Sequence, residues 1–140
     1  MKPIFETTII NTGGRNGEVH SPDNIFNLDV EKPQALGGNA TTATNPEQLF
    51  AAGYSACFNS ALELLLDQGG VAFESSQVTA TVALYPDKAD KGFQLGVKLE
   101  VTIEGVDQAT AEEYVNKAHH FCPYSKAISG NVEVELSVKQ

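Results

Sequence analysis

Residues 45–70 read NPEQLFAAGYSACFNSALELLLDQGG, and this run carries the signals for both ends of a helix. Asn45 is placed to act as N-cap, and Pro46 takes the first helical position, where a missing N–H costs nothing. Glu47 falls in the first turn, and Gln48, three residues after the cap, is a capping-box partner. Gly69 and Gly70 mark the stop. At 1.5 Å per residue the helix between Pro46 and the glycines spans roughly 34 Å, about the width of a small domain. Apolar residues occur nearly all round it, which predicts a central helix covered on most faces. Tyr54, Asn59, Ser60 and Glu63 within Leu49–Leu66 would be expensive in hydrocarbon, so a membrane span is not expected.

On the C-terminal side of this helix, three runs alternate with the period of a half-buried strand. Val78, Ala80, Val82 and Leu84 share one face. So do Leu95, Val97, Leu99, Val101 and Ile103, and so do Val132, Val134, Leu136 and Val138. They predict an antiparallel sheet. Between the last two runs TAEEYVNKAHHF, residues 110–121, predicts a second helix with Thr110 and Glu113 as its capping box. On the N-terminal side FETTIINT alternates loosely, GGRNG at 13–17 is a turn, and strand-like pieces follow at Glu18–His20 and Ile25–Val30. These form a β-meander, and 33–44 is a loop without periodicity. The expected fold class is α+β, a single domain over 1–140. Residues 1–44 supply the meander and loop, and 45–140 the central helix, sheet and second helix.

A chain of 140 residues can bury roughly two-thirds of its unfolded surface around one core without a disulfide scaffold or metal. Its net charge of −9 and pI near 4.6 repel phosphate backbones and anionic headgroups, arguing against nucleic acid or a membrane surface as partner. The start, MKPIFETTII, breaks its apolar run at Glu6, Thr7 and Thr8. It therefore lacks a signal-peptide core, and a cytoplasmic location is expected.

Cys57 and Cys122 lie 65 positions apart, matching neither a CxxC pair nor a zinc spacing. In a reducing compartment a cysteine pair that does close is usually catalytic or redox-sensing. Cys57 has two readings, a small buried hydrophobe or a nucleophile hidden from water. It lies about 16 Å into the helix, beyond reach of the N-terminal dipole, and an apolar site would raise its pKa. Ionising it at neutral pH requires a cation brought by the fold. Arg15, the one arginine, sits in GGRNG; it is either solvated or brought in as a rigid, permanently charged fork. Cys122 precedes Pro123 as a candidate N-cap of a short helix ended by Ser129 and Gly130, where its thiolate would feel the dipole. His119 and His120 point to different helix faces, HHFC alone is a weak metal signal, and no metal is expected.

The stretches TNPEQLFAAGYSACFNSAL (44–62) and HHFCPYSKAISGNVEVEL (119–136), with GGRNG and the glycine pair 37–38, resemble the organic hydroperoxide reductase branch of the OsmC/Ohr family. The resemblance covers essentially the whole chain. It implies an intertwined homodimer that reduces alkyl or fatty-acyl hydroperoxides to alcohols in the response to oxidative stress. No metal, flavin or haem cofactor is implied, and the reductant is dihydrolipoamide or a lipoylated protein. By matching position, Cys57 is the peroxide-reacting cysteine and Cys122 the resolving one, with Arg15 and Glu47 orienting and ionising Cys57. Glu47 and Cys57 are ten residues apart, roughly 15 Å along one unbroken helix. Either the helix breaks near Gly53, or antiparallel central helices bring Glu47 of one subunit to Cys57 of the other. Alternative readings are an OsmC-branch peroxidase, a non-enzymatic binder of acyl or lipid molecules, and a thiol redox sensor.

Overall fold

The computed structural model describes residues Met1–Gln140. The chain divides into two compact units, Met1–Leu49 and Phe50–Gln140.

In the first unit, β1 (Ile10–Thr12), β2 (Gly17–His20) and β3 (Asn27–Val30) form the expected antiparallel meander. The first strand is shorter than its alternation suggested. The β1–β2 turn holds its shape through Asn11, whose side chain donates to the carbonyls of Gly14 and Glu18 and accepts from the Gly14 amide. A Cβ at Gly17 would lie 1.8 Å from the Thr12 carbonyl oxygen, so only glycine fits where the turn rejoins the sheet. A short 3-10 turn, Gln34–Leu36, interrupts the predicted loop.

Helix α1 (Pro46–Gln68) starts and stops where its sequence signals place it. The Asn45 Oδ1 accepts the Gln48 amide at 2.8 Å, while the Gln48 side chain takes the Thr44 hydroxyl instead of returning to the cap. Gly70 is left-handed at φ 68°, and the Val71 amide closes on the Leu66 carbonyl. Asn45→Ala removes the side-chain cap and is expected to cost about 1 kcal/mol, read as a lower Tm. The helix continues unbroken through Gly53.

The coverage of α1 differs from the expectation. Within the chain one stripe is buried, Tyr54, Phe58, Ala61, Leu62 and Leu66, while Ala52, Ala56, Ser60 and Leu64, spaced at i+4, are exposed. A single sheet can cover only one side of a helix. By length and composition α1 would pass as a membrane span. Its polar residues are engaged, however: Asn59 and Glu63 both bond Ser76.

In the second unit β4 (Ser75–Pro86) and β5 (Phe93–Glu104) form a long antiparallel hairpin, and β6 (Val134–Val138) lies on the other side of β5. Here the prediction of an antiparallel sheet needs correction, because β6 runs parallel to β5. Helices α2 (Gln108–Phe121) and α3 (Pro123–Ile128) separate the two strands, and a helical crossover returns the chain to the same end of the sheet. Central β5 buries Val97, Leu99, Val101 and Ile103, whereas the alternating residues of β4 and β6 are half-buried. These pack with α1 and with Ala111, Tyr114, Val115 and Ala118 of α2 into one core.

Helix α2 begins two residues before the predicted Thr110. Its cap is Asp107, whose carboxylate accepts the Thr110 amide at 2.7 Å. That amide and the Thr110 hydroxyl hold the Asp107 carboxyl below the usual range. A carboxylate is the stronger acceptor at a helix start.

Candidate active site

The site in the second unit is built from one turn of α1 and the elbow between α2 and α3. Cys57 projects from the middle of α1, partly buried, and Cys122 at the elbow is fully buried. Cys122 ends one helix and begins the next, its amide bonding the Ala118 carbonyl while its own carbonyl accepts the Lys126 amide. Cys57 packs against the buried cluster that contains Cys122, and the two thiols are near enough to influence each other's charge. Residues 65 positions apart in sequence are thereby brought together at one site.

Burial, then the adjacent Cys122 thiol, pushes the Cys57 thiol above its ordinary range, and the backbone N–H of Tyr124 opposes them. As expected, Cys122 is the N-cap of α3, with Pro123 in the first turn and Ser129 at the C-cap. The Cys122 side chain makes no capping bond, and the Tyr124 amide in the first turn of α3 favours the Cys57 thiolate. Tyr124 also explains Gly53. A Cβ there would meet the Tyr124 hydroxyl at 2.7 Å, so the glycine lets α3 lie close to α1 one turn before Cys57.

Around the thiols is a group of side chains that the sequence reading passed over. The Tyr54 hydroxyl, fully buried, is 2.6 Å from Ser125 Oγ, and His119 Nδ1 is 3.0 Å from the same oxygen. Their signal was present in the spacing: Tyr54 is three residues before Cys57, and Ser125 three after Cys122. His120 turns the other way and bonds the Asn116 carbonyl.

In the first unit Arg15 and Glu47 are brought together across 32 positions. The guanidinium fork closes on both carboxylate oxygens, Nη1 to Oε2 at 2.9 Å and Nη2 to Oε1 at 2.6 Å. The pair lowers the Glu47 carboxyl and raises Arg15, chiefly through these hydrogen bonds. Both therefore stay charged throughout the neutral range, and the fork is fixed in direction.

Residues 37–137 match the family model described as OsmC-like protein. The chain belongs to the OsmC family. Among its OsmC relatives, an organic hydroperoxide resistance protein-like 2 of Staphylococcus epidermidis is 51% identical over 135 residues, covering 96% of this chain and 95% of that one. The organic hydroperoxide resistance protein OhrA of Bacillus subtilis is 49% identical, with 99% of each chain covered. Among solved structures, an organic hydroperoxide resistance protein from Legionella pneumophila superposes with a TM-score of 0.94 at 47% identity, covering 99% of this chain and 100% of that one. Bacillus subtilis OhrB gives 0.89 at 43% identity, covering 98% and 100%.

Proposed function

We propose that this OsmC-family chain detoxifies organic hydroperoxides by thiol chemistry, with Cys57 as nucleophile and Cys122 as the thiol that resolves it. The observation that carries this reading is the proximity of a partly exposed and a fully buried cysteine, which pack in one cluster. The names of the relatives agree with it. The Cys57 thiolate attacks one oxygen of ROOH; an S–O bond forms, the O–O bond breaks, and the alkoxide takes a proton to leave as alcohol. The sulfenic acid then condenses with the Cys122 thiol, releasing water and forming a disulfide. A dithiol, dihydrolipoamide or a lipoylated protein, reduces that disulfide by exchange.

Two features favour a homodimer. The α1 stripe Ala52, Ala56, Ser60 and Leu64 is exposed, and its three small residues permit a second helix to approach closely. Ile10 and Leu28 are exposed on strands of only three and four residues, and a second copy covering them would take apolar surface out of water. Because α1 does not break, Glu47 and Cys57 remain about 15 Å apart along its axis. The Arg15–Glu47 pair accordingly serves the Cys57 of a second copy.

Intact mass and free-thiol count after one equivalent of cumene hydroperoxide test the reading. The wild type should lose about 2 Da and both thiols, and Cys122→Ser should gain about 16 Da. No change in either protein would overturn it.

A further inference from the structure

We propose that Tyr54, Ser125 and His119 form a latch that sets the register of the two sulfurs, and so decides whether oxidised Cys57 closes a disulfide or is oxidised again. This rests on the assignment of Cys57 and Cys122 above. Tyr54 and Cys57 are three apart on α1, and Cys122 and Ser125 three apart on the α3 side, so each hydroxyl sits one turn from its sulfur. The 2.6 Å bond between Tyr54 and Ser125 thus runs beside the two thiols and joins the same two elements.

The latch has mechanical value because α3 has only six residues, too few to hold its position by its own backbone bonds. Tyr54 is fully buried and Ser125 is 2% exposed, so neither hydroxyl has water as a substitute partner. His119, half-buried at the last turn of α2, completes the chain at 3.0 Å. Burial and then neighbouring His120 favour its neutral ring. With Nδ1 as acceptor, the tyrosine donates to the serine and the serine to the imidazole, which gives every atom a consistent role. Three helices are joined at one oxygen.

Disulfide closure tolerates only a narrow range of approach, with Cβ atoms roughly 3.5–4.5 Å apart. Two fates compete for the Cys57 sulfenic acid. In one, the Cys122 sulfur displaces hydroxide, which leaves as water with the Cys122 proton, and an S–S bond replaces the S–O bond. In the other, a second hydroperoxide transfers an oxygen to Cys57, giving a sulfinic acid and alcohol. A loosened register slows the first without slowing the second. These three are positioning residues, acting through the sulfurs.

The test compares wild type, Tyr54→Phe and Ser125→Ala, reduced, freed of dithiol and given ten equivalents of cumene hydroperoxide. Intact mass reads the ratio of sulfinic form, about 32 Da heavier, to disulfide, about 2 Da lighter. The ratio should rise about tenfold in each variant, the scale of one lost hydrogen bond, and it does not depend on the rate of first oxidation. A merely structural role would lower Tm and leave the ratio unchanged. If Ser125→Ala fails to fold, Tyr54→Phe, which keeps the ring, decides. A wild-type ratio in folded Tyr54→Phe, alongside a wild type that closes its disulfide, overturns the latch alone. A wild type that forms no disulfide overturns the thiol reading and the latch with it.

Discussion

Cys57→Ser should lower dithiol-dependent consumption of cumene hydroperoxide by at least about a thousandfold, because no other group in the site can take oxygen from a peroxide as a nucleophile. Tyr54 and Ser125 carry hydroxyls that stay protonated, and Cys122 is sealed from solvent. Cys122→Ser should behave differently. Its first equivalent of peroxide is reduced and the enzyme then stalls as the sulfenic acid, so a burst of one product per subunit precedes a slow steady state. Stopped-flow measurement of alcohol formed per subunit separates the two variants. Equal loss of the burst in both would contradict the division of labour between the cysteines.

Arg15→Ala should show the second large effect, and its size depends on pH. With no cation at hand, an ordinary thiol near 8.5 is only about 3% ionised at pH 7. Burial and the neighbouring thiol push Cys57 higher still. The proposed guanidinium favours the thiolate and works against both. Its removal should therefore cost at least about thirtyfold in kcat/KM at pH 7. The sign follows from the acid form: raising pH restores thiolate, so the deficit should shrink tenfold per pH unit up to the new thiol pKa. Glu47→Gln should misdirect the fork and give a smaller loss. Mixing impaired Glu47→Ala and inactive Cys57→Ser proteins under conditions of subunit exchange should raise activity above that of either alone, since one site in the heterodimer is intact. No recovery despite exchange, measured by native mass spectrometry, would place the pair and the thiol in the same copy.

The parts of this molecule that were legible in its sequence are those whose physics is local. Asn45, Pro46 and the two terminal glycines define α1 because capping acts over three or four residues, and the valines of β5 alternate because a pleated strand has two faces. Direction is not local. Alternation in Val134–Val138 reads the same in a parallel as in an antiparallel strand, and only the crossover through α2 and α3 decides it. The start of α2 was placed too late because Thr110 and Glu113 have the spacing of a capping box, whereas the cap is the Asp107 carboxylate. The cysteines stood out through long motifs. The Tyr54–Ser125 bond did not, because it spans 71 positions and tyrosine and serine are ordinary in helices. Nor could spacing show that a Tyr124 amide, rather than a side chain, faces Cys57.

Cys57 sits on the central helix and Cys122 on an elbow 65 positions later, and that separation bears on the unfolded chain as much as on the site. A bond between them ties off a long loop and removes roughly 4 kcal/mol of conformational freedom from the denatured ensemble. Under the proposed chemistry the oxidised protein should be harder to melt than the reduced one. Each turnover of the proposed cycle would move the molecule between a heat-resistant and a more easily unfolded form, so a shortage of reductant would leave the whole population in its most durable state.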